Sequence, residues 1–244
     1  MHLDKNTIQP LDISPRTASI IAGLGLLAMA ILAPFANFYV LQNLIVSQDA
    51  GATVAHILAS SGLFRIGIAT LLLVAVLDIM VAWALYVLLE PVRKSLSLLA
   101  AWLRVAYAAL FIVSLNPLLR VLQLLEGNTY LHIFEKKQLD DQVMLSIGEF
   151  RSAWDMSLVV FGFHLLVLGY VVFKSGYFPK WLGALVGIAG TGYLVDGFGK
   201  LLIANYTMNI GMFTFVGEVI LIFWLLGLGI RGFGQKSSAF SFGK

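Results

Sequence analysis

Long apolar runs alternate with short polar links along the whole chain. Six runs qualify as spans: Ala18–Leu41, Leu63–Leu89, Leu96–Leu125, Ala153–Phe173, Trp181–Ile203 and Met208–Ile230. About 20 helical residues cross a hydrocarbon core of roughly 30 Å, so each run is long enough. The pattern predicts an all-α integral membrane protein, residues 1–244 forming one domain built as a bundle of six transmembrane helices. Pro34 predicts a kink in the first helix, and Asn116-Pro117 another in the third, because proline removes a helix donor and crowds the preceding turn.

Two links carry a helical pattern of their own. Asp49 is placed to cap a short helix through Ser60, with Val54, Ile57 and Leu58 on its apolar side. Residues 126–152 mix Glu135, Lys136, Asp140, Asp141 and Glu149 with Leu139, Val143, Leu145 and Ile147, the spacing of an amphipathic lid lying on the membrane or capping the bundle. The polar leader 1–17 precedes a run without a small-x-small cleavage site, so that run reads as a retained span.

Composition agrees with lipid as the main solvent. Hydrophobic residues make up 59% of the 244 and charged residues 12%, where a soluble domain carries about a quarter charged. The net charge of +3 does not point to nucleic acid, because the basic residues cluster in the links. With no cysteine, disulfides, iron–sulfur clusters and thiolate zinc sites are excluded. Lys5, Arg16, Arg93, Lys94, Lys174, Lys180, Arg231, Lys236 and Lys244 fall on one side, against Lys136, Lys137, Arg151 and Lys200 on the other. The positive-inside rule then places both termini in the cytoplasm and the two amphipathic links outside.

Aromatic residues gather at the expected boundaries, among them Tyr39, Trp154, Tyr206, Trp83 and Trp181, as interfacial anchors do. Gly183, Gly187 and Gly190 share one face of the fifth helix and predict close packing there.

Charges inside the runs are costly, about 2.5–3.5 kcal/mol each on insertion scales, and they define the candidate site. Depth matches Asp78 with Arg104 on consecutive helices, either as a clamp or as part of a polar core. Arg65, Asp155 and Asp196 sit near the outer surface, with Lys200 four residues from Asp196 and Arg151 four from Asp155, spacings that predict local pairs. These residues either line an outward vestibule or simply satisfy one another. Glu218 lies near the middle of the sixth helix without a cation within a turn, and His164 lies at similar depth in the fourth. A Glu218–His164 couple would suit a proton relay, and a hydrogen-bonded pair of core residues is the plainer alternative. Asp155 and His164 face opposite sides of a straight helix and are not a couple. A lone intramembrane histidine is a poor basis for a zinc hydrolase, and the chain has no GxSxG, HExxH or phosphate-binding glycine loop. No metal, cofactor or catalytic residue is implied.

Several strings carry a family likeness: LFRIG at Leu63–Gly67, LDIMVAWALYVLLEPV at Leu77–Val92, LLAAWLRVAYA at Leu98–Ala108, WDMSLVVFGFHLLVLGYVVFKSGYFPKWLG at Trp154–Gly183, and GYLVD at Gly192–Asp196. Together they resemble the bacterial multi-pass membrane family known as "domain of unknown function 4386", over about Ala18 to Ile230. The resemblance implies a bacterial cytoplasmic (inner) membrane location and brings no catalytic residues. Arg65, Asp78, Arg104, Asp155, His164 and Asp196 lie within the resembling strings, and Glu218 lies in a looser stretch.

Three function classes follow, in this order. A binder or transporter of a small amphipathic solute or lipid predicts a mid-membrane cavity lined by His164, Glu218 and Arg65. A membrane partner or sensor subunit predicts a tightly packed centre. A lipid-modifying enzyme predicts a polar cleft open sideways to lipid.

Overall fold

The computed structural model describes residues 13–126 and 135–232; the expectations for the polar leader, the C-terminal tail and positions 127–134 of the amphipathic link fall outside those residues. Among the described residues every regular element is helical. Helix α1 (Pro15–Pro34) begins with Ser14 accepting from Thr17 N and Pro15 in the first turn. It continues as a π-helical segment, Phe35–Leu41, and ends at Leu44. The kink expected at Pro34 is therefore a π-bulge, which absorbs the missing proline donor without ending the helix.

A short helix, α2 (Ala50–Ala59), follows, capped as its sequence predicts by Asp49 Oδ1 accepting from Ala52 N at 2.8 Å. Val54 and Ile57 are buried, but Leu58 points outward and does not share their face. The next 54 residues are continuously helical except at Arg93, whose φ of −152° and ψ of 86° break them into α3 (61–92) and α4 (94–114). On one unbroken helix Asp78 and Arg104 would stand about 39 Å apart. Their 2.6 Å contact shows that the chain reverses at Arg93, giving two helices packed side by side. Leu115 interrupts the helix again before α5 (Asn116–Leu125), at the predicted kink.

Helix α6 (Lys136–Lys174) departs from the expected arrangement. The 136–152 stretch is no separate lid; it runs straight into the fourth apolar span. At 1.5 Å per residue the 39-residue helix is about 58 Å long, nearly twice the hydrocarbon thickness. Its first half packs against α5 and α2, and Val143, Ile147 and Phe150 there are buried along with Leu118 and Val121 of α5. Helix α7 (Lys180–Leu202) returns against α6, and α8 (Gly211–Thr214) with α9 (Val216–Arg231) forms the last apolar helical stretch. Arg16 Nε donates to Gly229 O at 2.8 Å, so the two described ends of the chain meet at one end of the bundle. That end is called proximal below, and the opposite end distal.

Backbone contact sets the closest seam, between α6 and α7. A Cβ built on Gly183 would lie 2.5 Å from Phe173 N and 2.7 Å from Gly169 O, and one on Gly190 would lie 2.7 Å from Gly162 O. Only glycine permits that approach. Gly187 differs, because a Cβ there would meet nothing within 4 Å.

Among the described residues five helical stretches are long and apolar enough to cross a membrane, and the longest of them, Ser61–Leu125, contains the reversal at Arg93. Outward-facing Leu72, Leu73, Val76, Trp102, Val113, Ile188 and Phe223 clothe the bundle in apolar surface suited to acyl chains.

Candidate functional site

Three sequence-predicted residues meet in the middle of the bundle. Arg104 on α4 puts Nη2 2.6 Å from Asp78 Oδ1 on α3, and Nη1 3.3 Å from His164 Nε2 on α6. His164 Nδ1 lies 2.8 Å from Ala100 O. A carbonyl only accepts and a guanidinium only donates, so the partners assign the Nδ1–H tautomer, with Nε2 accepting from Arg104. All three side chains are nearly inaccessible. The space beside His164, bounded by Ala82, Tyr86, Leu89, Ser97 and Leu168, is only about 10 Å³, about the room one water needs.

Glu218 lies within electrostatic reach of Tyr193 of α7 and of Arg104 and Asp78, and His164 makes its hydrogen bonds to Arg104 and Ala100 rather than to Glu218. Phe161 of α6 is the shared wall. Its ring lies 5.4 Å from the Arg104 guanidinium carbon, 4.8 Å from the Tyr107 ring, and 5.5 Å from the rings of both His164 and Tyr193. The Tyr107 hydroxyl approaches the Trp154 indole. Three buried atoms of this cluster, Arg104 Nε, Trp154 Nε1 and Glu218 Oε1, lack partners of hydrogen-bond geometry among the described residues. Two are donors and one is an acceptor, and leaving them empty-handed is costly in a low dielectric.

Above this cluster, toward the distal end, a vestibule of about 390 Å³ opens between the π-helical segment Phe35–Leu41, α6, α7 and the α7–α8 link. Trp154 and Tyr193 line it together with Phe38, Leu158 and Met212, and Asp155, Asp196 and Lys200 supply its charge. The ion pairs there are not the ones the spacing predicted. Lys200 Nζ pairs with Asp155 Oδ1 at 2.8 Å across the α6–α7 seam, rather than with Asp196 on its own helix. Asp155 is thereby committed to Lys200 instead of Arg151. Interhelical pairing wins because the glycine seam brings the two helices within side-chain reach.

Asp196 has a different task. Its Oδ1 accepts from Tyr206 Oη at 2.8 Å and Ile210 N at 2.9 Å, and its Oδ2 from Gly211 N at 2.7 Å. One carboxylate therefore folds the α7–α8 link back over the vestibule and holds the start of α8. Arg65 is not part of this wall. It pairs with Glu126 at the end of α5, exposed on another side of the bundle.

Tyr193, Phe161, Tyr107 and Trp154 carry no formal charge, so nothing in their apolar runs marks them as site residues. Depth offered a signal for one of them. Tyr193 lies nine residues from the distal end of α7 and Glu218 seven from the start of α8, so a hydroxyl stood level with the orphan carboxyl.

Residues 21–229 match the family described as Domain of unknown function (DUF4386). A protein of Archaeoglobus fulgidus named "Uncharacterized protein" is 40% identical over 154 residues, which cover 63% of this chain and 78% of that protein. No solved structure matches. With most of its length matched, the chain belongs to the family described as Domain of unknown function (DUF4386).

Proposed function

We propose that this chain is a six-crossing integral membrane protein, both termini cytoplasmic, that binds a small amphipathic solute in its distal vestibule. The observation that carries the reading is a shared pair of residues. Trp154 and Tyr193 line the vestibule, and the same two side chains belong to the cluster containing the unpartnered Trp154 Nε1 and Glu218 Oε1. A volume of about 390 Å³ lies within the usual range for small-molecule pockets. Phe38, Leu158 and Met212 offer apolar contact for the body of such a solute, while the half-exposed Asp155–Lys200 pair and Asn209 offer polar contacts for its head.

A variant with Trp83, Trp102, Trp181 and Trp224 changed to Phe keeps Trp154 as its single indole. In nanodiscs, alkyl amines, alcohols and carboxylates of medium chain length are titrated while its emission is followed. A saturable response that Leu158→Phe weakens supports the reading. A linear, partition-like response to every probe, unchanged by Leu158→Phe, contradicts it. For orientation, an impermeant thiol reagent added to intact cells should label Ser47→Cys and spare Ser95→Cys.

The tight packing beside His164 favours a second reading, a membrane partner or sensor subunit whose central charges only hold the bundle. The two readings differ on the vestibule alone. Both treat Asp78–Arg104–His164 as a clamp.

A further inference from the structure

On the face of α6 turned away from the vestibule, a second concavity of about 660 Å³ lies between α4, α5 and α6. Leu110 and Val113 of α4 and Met156 and Val160 of α6 form its walls, and Arg120 and Glu149 stand at its distal mouth. Leu110, Val113 and Met156 expose about half or more of their surface to it and to the surroundings. Its two serines do not make the walls polar. Ser114 Oγ donates to Phe111 O at 2.7 Å and Ser157 Oγ to Trp154 O at 2.6 Å, so each hydroxyl is spent on its own helix.

The length of the slot is informative. From Arg120 to Leu110 on one wall, and from Glu149 to Val160 on the other, the helical rise is about 15–17 Å. That is about half of a roughly 30 Å hydrocarbon core, the depth of one leaflet. The charged mouth therefore stands where head groups lie, above a greasy slot one acyl chain deep. The mouth carries both signs, with Arg120 Nη1 2.6 Å from Glu149 Oε2 and both side chains half exposed.

We propose that this groove is a binding site for one zwitterionic phospholipid, seated with an acyl chain between α4 and α6. Its phosphate accepts from the Arg120 guanidinium, and its ammonium pairs with the Glu149 carboxylate. An anionic phospholipid satisfies Arg120 but sets a negative head beside Glu149, and a neutral diglyceride satisfies neither, so the charge pattern selects the zwitterion. The site is separate from the vestibule and stands whether or not that pocket binds a solute.

Native mass spectrometry of the full-length protein, released from micelles holding equimolar phosphatidylethanolamine, phosphatidylglycerol and diacylglycerol, tests this directly. The expected result is one retained phosphatidylethanolamine per chain, favoured roughly tenfold over each competitor. Arg120→Gln should reduce that preference over diacylglycerol to near parity, and Ala153→Trp, which intrudes on the slot from an exposed position, should abolish retention. Equal retention of all three lipids by the wild type, a preference for phosphatidylglycerol, or undiminished retention by Ala153→Trp would each overturn the proposal. The head-group preference of the wild type decides the matter even where a variant fails to fold.

Discussion

Two acid–base pairs in this bundle have the same chemistry and opposite circumstances. Asp78–Arg104 is sealed between α3, α4 and α6, with about 3–4% of either side chain accessible. Asp155–Lys200 bridges α6 and α7 at the vestibule wall, with 35% of each exposed. In the first case the surroundings cannot screen a charge left alone, so the two residues hold each other in place. In the second, water shares the work, and either partner is replaceable. Burial rather than charge count thus separates the part of the polar network that holds the fold from the part free to meet a solute.

The sharpest way to break that contrast is to remove one buried partner. Asp78→Ala should cost about 3–5 kcal/mol, the toll of an uncompensated buried charge. Thermal unfolding in nanodiscs would show a large drop or no folded protein. The double variant Asp78→Ala/Arg104→Met should recover much of the loss, because it removes both charges and leaves only the neutral His164 Nε2 without its donor. A double variant as unstable as the single one would mean that the charges do more than balance each other.

The glycine seam on which the vestibule pair depends is the next target. Gly183→Leu drives a side chain into Phe173 and Gly169 backbone, which cannot rotate away, and should cost about 3 kcal/mol or more. Gly187→Ala, four residues along the same helix, has open space and should shift the melting temperature little.

Asp196→Ala removes the acceptor for two backbone N–H groups and one hydroxyl, and should cost about 1–3 kcal/mol while loosening the α7–α8 link. Hydrogen exchange at residues 206–214 would rise ahead of the rest of the bundle. Lys200→Ala should change stability by less than about 1 kcal/mol, as a partly exposed pair does.

The sequence made the spans legible because lipid demands uninterrupted apolar length, and that demand is written residue by residue. It also showed the Asp78–Arg104 pair, because two isolated opposite charges at matched depth on consecutive helices have few other partners. The vestibule pairs were harder. Spacing of four on one helix proposed Asp196–Lys200 and Arg151–Asp155, but the choice between neighbours on a helix and neighbours across a seam depends on how closely two helices approach. Gly183 and Gly190 announced that closeness without saying which side chains would profit. Tyr193 and Phe161 stayed hidden for another reason: a hydroxyl and a ring in an apolar run look like packing until a buried carboxyl or guanidinium is found beside them. The continuity of α6 through residue 152 is not legible in the sequence, because an amphipathic pattern fits a separate helix lying on a membrane as well as the extension of a span.

The middle of the bundle is tightly packed around Asp78, Arg104 and His164, whereas the distal vestibule is open to its surroundings. In this cysteine-free chain, one experiment compares Leu158→Cys, in the vestibule wall, with Ala100→Cys, beside His164. An impermeant thiosulfonate applied to the folded protein in nanodiscs should label Leu158→Cys within minutes and leave Ala100→Cys untouched. Equal labelling of the two, or no labelling at Leu158→Cys, would contradict that contrast.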